Sequence, residues 1–231
     1  MSRSRETRIL DAAGELLLIH GYRRVTVDDV ARRADVGKGT VYLHWSSKLE
    51  LFATVLLREV RQVVVEQLAV MRADPGEIRL HRTLRCLFLL VMRRPLTRAF
   101  YTGDTELLGA LLTDTKVGLQ FVAQKSAMGP PYLTALHEHG LLLDDPVADP
   151  GVQYRLSAAT AGFFLLERML PASVDLDLEV KAEALAEVVR RSFEPAVPPD
   201  PAALAAAADI VTGLYQDMLD DLHPLLTQED Q

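Results

Sequence analysis

The chain has one cysteine, Cys86, and one tryptophan, Trp45. A lone cysteine excludes an internal disulfide and a cysteine-built metal cluster. Within "LRCLFLLVM" it reads as a core residue, and a redox switch is the less economical reading. No apolar run reaches the roughly 20 residues that cross a bilayer. The first residues, "MSRSRETR", are charged, and no unbroken apolar stretch of the signal-peptide kind follows. The expected compartment is the cytoplasm, with no membrane partner. Strand patterns are also missing, since no period-two run is bounded by turn pairs. There is no internal repeat. Lysine is scarce, and a GC-rich genome accounts for an arginine excess as readily as any function does.

What the chain does have is apolar content. Of 231 residues, 49% are hydrophobic, enough for a substantial core. That length suits one large domain, or a small one attached to a larger. The formal net charge is −7 and is unevenly spread. Residues 1–50 hold nine Arg or Lys against seven Asp or Glu, while the remainder is strongly acidic. A mildly basic head on an acidic body is the asymmetry to follow.

Apolar spacing of three and four predicts helices nearly throughout. The first covers residues 5–18 through Ile9, Leu10, Ala13, Leu16 and Leu17, and Gly21 in "HGY" suits a left-handed C-cap. A second starts at a capping box, Thr26 with Asp29, stapled by Val25 and Val30. It ends near residue 33 or 34. The turn "ADVG" leads to a third helix over 38–44. A second box, Ser47 with Glu50, opens a long helix to about residue 72. Further helices are expected over 77–92, 95–101, 104–125 (with a break near 112–114), 131–139, 150–170, 177–193 and 201–222. Loops are expected at Pro75, at Pro130-Pro131, over 144–151 and over 195–201.

Three short helices in about 45 residues, the third reached by a tight turn, describe a helix-turn-helix. At 100° per residue Val41 and Trp45 lie about 40° apart, on one side of the third helix. Gly39, Thr40, Tyr42 and Leu43 lie opposite, with Lys38 and His44 on the flanks. One face is anchored. The other offers a close-approach glycine, a hydroxyl, a phenol and a branched aliphatic, which can meet phosphates, base edges and thymine methyls. A small helical subdomain with a solvated surface is the bland alternative.

The segment "TVDDVARRADVGKGTVYLHWSSKLELF" resembles the DNA-binding signature of TetR-type transcriptional regulators. The resemblance covers about residues 5–52. It rests on Thr26, Val30 and Ala31, on Lys38-Gly39-Thr40, on Tyr42 to His44 with Trp45, and on Ser47-Lys48 with Leu51-Phe52. The family often has glycine at Asp35, serine at Gly37 and an acid at Leu49. Aspartate tolerates the left-handed turn and glycine caps well, so these departures are mild.

The resemblance implies an all-α protein. Residues 1–50 would form a three-helix, helix-turn-helix DNA-binding domain, and 51–231 a larger helical effector-binding and dimerisation domain. It implies a ligand-responsive repressor, not an enzyme, bound as a homodimer to a palindromic double-stranded operator and released by a small hydrophobic effector. A helical interaction module or a small helical enzyme is the alternative. Gly39, Thr40, Tyr42 and Leu43 are expected in the major groove with Lys38 beside them. Thr26, Tyr42, His44 and Lys48 are the expected phosphate contacts.

The dimer is expected through helix 150–170, apolar nearly all round, with Ala158, Ala161 and Gly162 small enough for close approach. Its companion is 201–222, where Leu204, Val211 and Met218 recur every seven residues with Ala208 and Tyr215 between; 177–193 is the competitor. The effector site is expected among helices 77–92, 95–101, 104–125 and 150–170. Its apolar residues would be Phe88, Phe100, Phe121 and Phe163, and its polar ones Arg98, Tyr101, Gln120, Tyr154 and Glu167. These aromatics equally fit a plain core, and Glu167 a pair with Arg168 or another surface charge.

Other signals are weaker. "VGKGT" lacks the P-loop glycine, Arg32 standing there, and Gly39 replaces the required Ser or Thr. His137 and His139 diverge by about 200° on a helix, too far to share a metal. No metal or cofactor is expected, and no Ser/His/Asp set has a recognisable spacing.

Overall fold

The computed structural model describes residues 4–102, 105–169 and 176–226. Among them are eleven α-helices and no strand. They are α1 (Arg5–His20), α2 (Val27–Arg33), α3 (Lys38–His44), α4 (Lys48–Ala73), α5 (Leu80–Arg93), α6 (Pro95–Thr102), α7 (Thr105–Thr113), α8 (Lys116–Glu138), α9 (Gly151–Met169), α10 (Leu178–Phe193) and α11 (Pro201–Leu226). A 3-10 turn, Pro75–Ile78, precedes α5. The expected helix limits at 104 and 170 lie outside the described residues.

The chain divides into two compact units. The first takes in Met1–Arg61, Pro95–Ala123 and Leu222–Gln231, the second Gln62–Arg94 and Gln124–Asp221. This division differs from the functional boundary expected at residue 50.

In the first unit α1 packs on α2, and α2 on α3. Ile9, Leu10, Ala13 and Leu17 of α1 are buried, as their spacing predicts. Ser4 caps α1 by accepting from the Thr7 N–H at 3.1 Å. Gly21 ends it at φ 73°, ψ 159°, a positive φ as expected but an extended ψ rather than the left-handed helical one. Both halves of the Thr26–Asp29 box form, and Val25 and Val30 are buried beside it. Asp35 takes φ 55° in the turn before α3. Its side chain sits outside the helical ladder, where an Asx residue pays little for this backbone.

The second box forms by half. Ser47 Oγ accepts from the Glu50 N–H at 3.1 Å, but the Glu50 carboxylate accepts instead from the Lys116 N–H at 2.8 Å. There it satisfies one of the orphan N–H groups at the N-terminus of α8. The break between α7 and α8 follows the expected one closely. Thr115 Oγ1 caps α8 by accepting from the Gly118 N–H at 2.9 Å. A side chain at Gly118 would meet the Leu111 carbonyl oxygen at 2.1 Å, so only glycine allows that close approach.

The expected loop at Pro130-Pro131 and the separate helix over 131–139 are overturned: α8 runs through both prolines to Glu138. Proline withholds donors from the carbonyls one turn earlier, on Ser126 and Ala127. Those residues are exposed, so water can serve the carbonyls, while Tyr132, Leu133 and Leu136 are buried by continuing the helix.

In the second unit α5 packs along α10. Phe88 and Phe164 meet at 5.2 Å between ring centroids. The Tyr132 hydroxyl donates to the Ile78 carbonyl at 2.9 Å and lies 3.1 Å from Thr83 Oγ1. Glu194, just past α10, is buried. Its carboxylate takes bonds from Arg79 at 2.7 Å and from the His81 N–H at 2.8 Å, with His81 Nδ1 also at 2.8 Å.

The heptad of α11 is not an exposed seam. Ala208, Val211, Tyr215 and Met218 are buried within the chain, because this stripe is the side α11 turns to its own core. On α9 the reverse holds. Tyr154, Ala158, Ala161, Leu165 and Met169 are exposed and share one face.

Candidate nucleic-acid interface

Helix α3 is held from one side. Val41 is 1% and Trp45 5% exposed, while Tyr42 is 48% and Leu43 83% exposed. The Trp45 indole N–H donates to Thr54 Oγ1 at 3.0 Å, and that hydroxyl donates on to the Glu50 carbonyl at 2.9 Å. Burying the indole contributes roughly 2–3 kcal/mol, and its bond to Thr54 leaves no polar atom unsatisfied. Docked this way, α3 presents Lys38, Gly39, Thr40, Tyr42 and Leu43 together. A side chain at Gly39 would meet nothing within 4 Å, so that position is open to an approaching surface. The two-sided arc read from periodicity is the arc observed.

The cationic and polar groups around α3 have internal partners. Lys38 Nζ lies 3.0 Å from Asp28 Oδ2, and that bond pushes the Lys38 ammonium above the usual lysine range. His44 Nδ1 lies 3.1 Å from Glu6 Oε1. Lys48 donates to the Tyr22 carbonyl at 2.5 Å, with its ammonium 4.0 Å from the centre of the Tyr22 ring. Burial lowers the Lys48 pKa. Tyr22 in turn meets Phe52 edge-on at 5.2 Å. The Thr26 hydroxyl donates to Asp29 Oδ2 at 2.6 Å, and this bond is the main reason the Asp29 carboxyl titrates below its ordinary range. Thr26, Lys38, His44 and Lys48 therefore meet a phosphate only by sharing or exchanging a partner.

Sequence reasoning missed Asp28 and Tyr22. Asp28 stands beside the Thr26–Asp29 box, and two adjacent carboxylates ahead of a basic third helix are the signal that points to it. Tyr22 has no local signal, because its carbonyl and ring are recruited by a residue 26 positions away.

The expected effector residues divide between the units. Arg98, Phe100, Tyr101, Gln120 and Phe121 belong to the first; Phe88, Tyr154, Phe163 and Glu167 to the second. Phe88, Phe100 and Phe121 are buried, Phe163 and Tyr101 are half-buried, and burial raises the Tyr101 hydroxyl pKa. Gln120 and Arg98 are exposed. Tyr154 is 77% exposed on the apolar face of α9. Glu167 is committed to Lys181 at 3.0 Å, with both side chains mostly buried; the Arg168 side chain lies outside the description. Among the described residues two buried polar atoms lack a hydrogen-bond partner: Arg61 Nε in the first unit and Gln124 Oε1 in the second. No group of three or more His, Cys, Asp or Glu among the described residues is placed to hold a metal. No described helix is long and apolar enough to cross a membrane.

Residues 9–55 match the family model described as bacterial regulatory proteins, tetR family. An uncharacterized HTH-type transcriptional regulator of Mycobacterium tuberculosis is 48% identical over 61 residues, 26% of this chain and 30% of that protein. The HTH-type transcriptional repressor KstR of the same species is 32% identical over 136 residues, 56% of this chain and 61% of KstR. The chain thus spans from 30% to 61% of the length of these two curated relatives. Among solved structures, the ketosteroid transcriptional regulator KstR2 of Mycobacterium tuberculosis aligns with a TM-score of 0.54 at 21% identity, over 84% of this chain and 97% of that one. That likeness shows the fold.

Proposed function

We propose that this chain, a member of the TetR family of transcriptional regulators, is a ligand-responsive repressor that binds a near-palindromic operator as a two-fold homodimer. The family is one of DNA-binding regulators and not of enzymes. The observation that carries the reading is the two-sided third helix, pinned through Val41 and Trp45 with Tyr42 and Leu43 left outside. Large apolar and phenolic side chains on a short exposed helix are unexplained by its own packing and fit a major groove.

In this reading residues 1–50 bind DNA and 51–231 bind effector and partner. Gly39, Thr40, Tyr42 and Leu43 enter the groove with Lys38 beside them. Thr26, Tyr42, His44 and Lys48 meet phosphates. Similarity to KstR, a repressor by name, supports the sign of regulation. The exposed apolar face of α9 is the proposed dimer contact.

The effector is a small hydrophobic molecule taken up by the helical body, where Phe88, Phe100, Phe121 and Phe163 are the candidate apolar contacts. Arg98, Tyr101 and Gln120 are the candidate polar ones. Helix α4 is the proposed lever. Its first turns hold the head through Lys48 and Thr54 and the start of α8 through Glu50. An effector shifts DNA binding only by its differential affinity for two poses of that helix.

The test is a gel shift of duplex DNA from upstream of the chain's own gene, followed by thermal-shift screening of hydrophobic metabolites and release from that DNA. Failure to retard any upstream fragment would overturn the DNA reading. A compound that stabilises the protein strongly yet leaves operator affinity unchanged would overturn the induction half.

A further inference from the structure

We infer that Asp28 is an internal competitor for the phosphate that Lys38 would bind, and so sets how tightly the head grips duplex DNA of any sequence. This rests on the DNA-binding reading above. Asp28 stands in the first turn of α2, and Lys38 is the first residue of α3. The ammonium lies 3.0 Å from Asp28 Oδ2, and the two side chains are 52% and 54% exposed. Asp28 is not needed as the cap of α2. The cap is Thr26, and Asp29 closes the box, its carboxylate taking both the Thr26 N–H and the Thr26 hydroxyl. Asp28 therefore adds a second carboxylate, directed across to the helix that faces the DNA.

The consequence follows from charge. Free duplex holds condensed counterions, and each phosphate neutralised by a protein cation releases about one of them. A lysine already paired with a half-exposed carboxylate is locally neutral and releases none. To engage a phosphate, Lys38 must share its ammonium with Asp28 or leave it, and either way the carboxylate stands beside the same phosphate. The pairing thus subtracts from affinity on every sequence, because phosphates are the same everywhere. An exposed ion pair is weak in water, so the exchange remains possible. Tyr42, one turn along from Lys38, has no charge with which to offset the carboxylate. The competing account is that Asp28 reads a base, since a carboxylate can accept from the cytosine amino group. The geometry favours the lysine, which already occupies the near oxygen.

The experiment uses the full chain and two labelled duplexes of equal length, the upstream operator and a random sequence. Affinity is followed by fluorescence anisotropy from about 50 to 200 mM salt. Asp28→Asn is expected to bind both duplexes several-fold more tightly at the lower salt, with the slope of log affinity against log salt steeper by about one. Lys38→Met with Asp28→Asn should bind as Lys38→Met alone, since the two residues form one coupled unit. Glu15→Gln removes the same charge at the far end of α2, where Glu15 pairs with Arg33 at 2.6 Å, and should leave both affinities and the slope unchanged.

A loss confined to the operator would show base reading and overturn the inference. So would an unchanged slope in Asp28→Asn, an effect that persists without Lys38, or an equal gain in Glu15→Gln. Wild-type chain that binds neither duplex would sink the functional reading as well, whereas wild-type binding with an indifferent Asp28→Asn sinks this inference alone.

Discussion

Lys48 does two jobs that compete for one ammonium. It sits against the Tyr22 ring and donates to the Tyr22 carbonyl, so it ties the start of α4 to the loop after α1. In the proposed function it also meets a phosphate. Lys48→Met is therefore expected to weaken binding to all sequences and to flatten the salt slope by about one, and also to lower the melting temperature. Anisotropy titrations and a thermal melt on one preparation check both. Thr40→Ala and Leu43→Ala should leave the melt alone and change which sequences are selected from a randomised duplex library; unchanged selection would remove α3 from base reading. Glu194 offers a test unrelated to DNA. Burial pushes its carboxyl up, but bonds from the His81 ring and N–H, with the charges of His81 and Arg79, outweigh that and hold it below the usual range. A depressed native pKa stabilises the fold fully above the unfolded value, and that stabilisation is lost as pH falls through the native one. Glu194→Gln should cost about 3 kcal/mol in urea melts at neutral pH, and the gap from wild type should close in acid.

At the scale of elements, helix starts were the most legible feature. Thr26 and Ser47 announce α2 and α4 by chemistry contained within three residues. The limits of α3 followed from a turn and an aromatic stop. Helix α8 was not legible, because proline's local preference points to a loop while the burial of Tyr132, Leu133 and Leu136 points to a helix. The tertiary term won, which leaves a helix carrying an avoidable strain. Pro131→Ala should therefore raise stability, by about 1–2 kcal/mol after allowing for the looser unfolded chain. Chemical denaturation measures it, and a loss of stability would mean that the prolines are needed where they stand. The seven-residue repeat of α11 misled for a related reason. A heptad stripe states that a face is buried, not what buries it, and here Val211, Tyr215 and Met218 face their own chain.

At the scale of the whole molecule, α9 carries an exposed apolar face among the described residues. Tyr154, Ala158, Ala161, Leu165 and Met169 line one face, and such a stripe is costly to leave in water. If it is the two-fold contact, Leu165→Glu should give a monomer in sedimentation at micromolar concentration while the helix content in circular dichroism stays unchanged. The same variant should lose operator affinity far more than Lys38→Met does, because a monomer reads one half-site. A dimer that survives the substitution would move the contact elsewhere.

The sequence by itself determined the helical class, the limits of α2 and α3 and the outward arc of α3. Each of these depends on residues three or four apart, whose geometry is set before any tertiary contact forms. It also carried the resemblance of residues 5–52 to TetR-type regulators. Only the tertiary structure decided which carboxylate meets Lys38, that Glu50 caps α8 rather than its own helix, and that Lys48 rests on Tyr22. It also decided that α11 turns its repeat inward while α9 keeps an apolar face exposed. These pairings join residues 10 to 66 positions apart. A side chain's reach says only that such a partner is possible, and the docking of one helix on another chooses among the candidates.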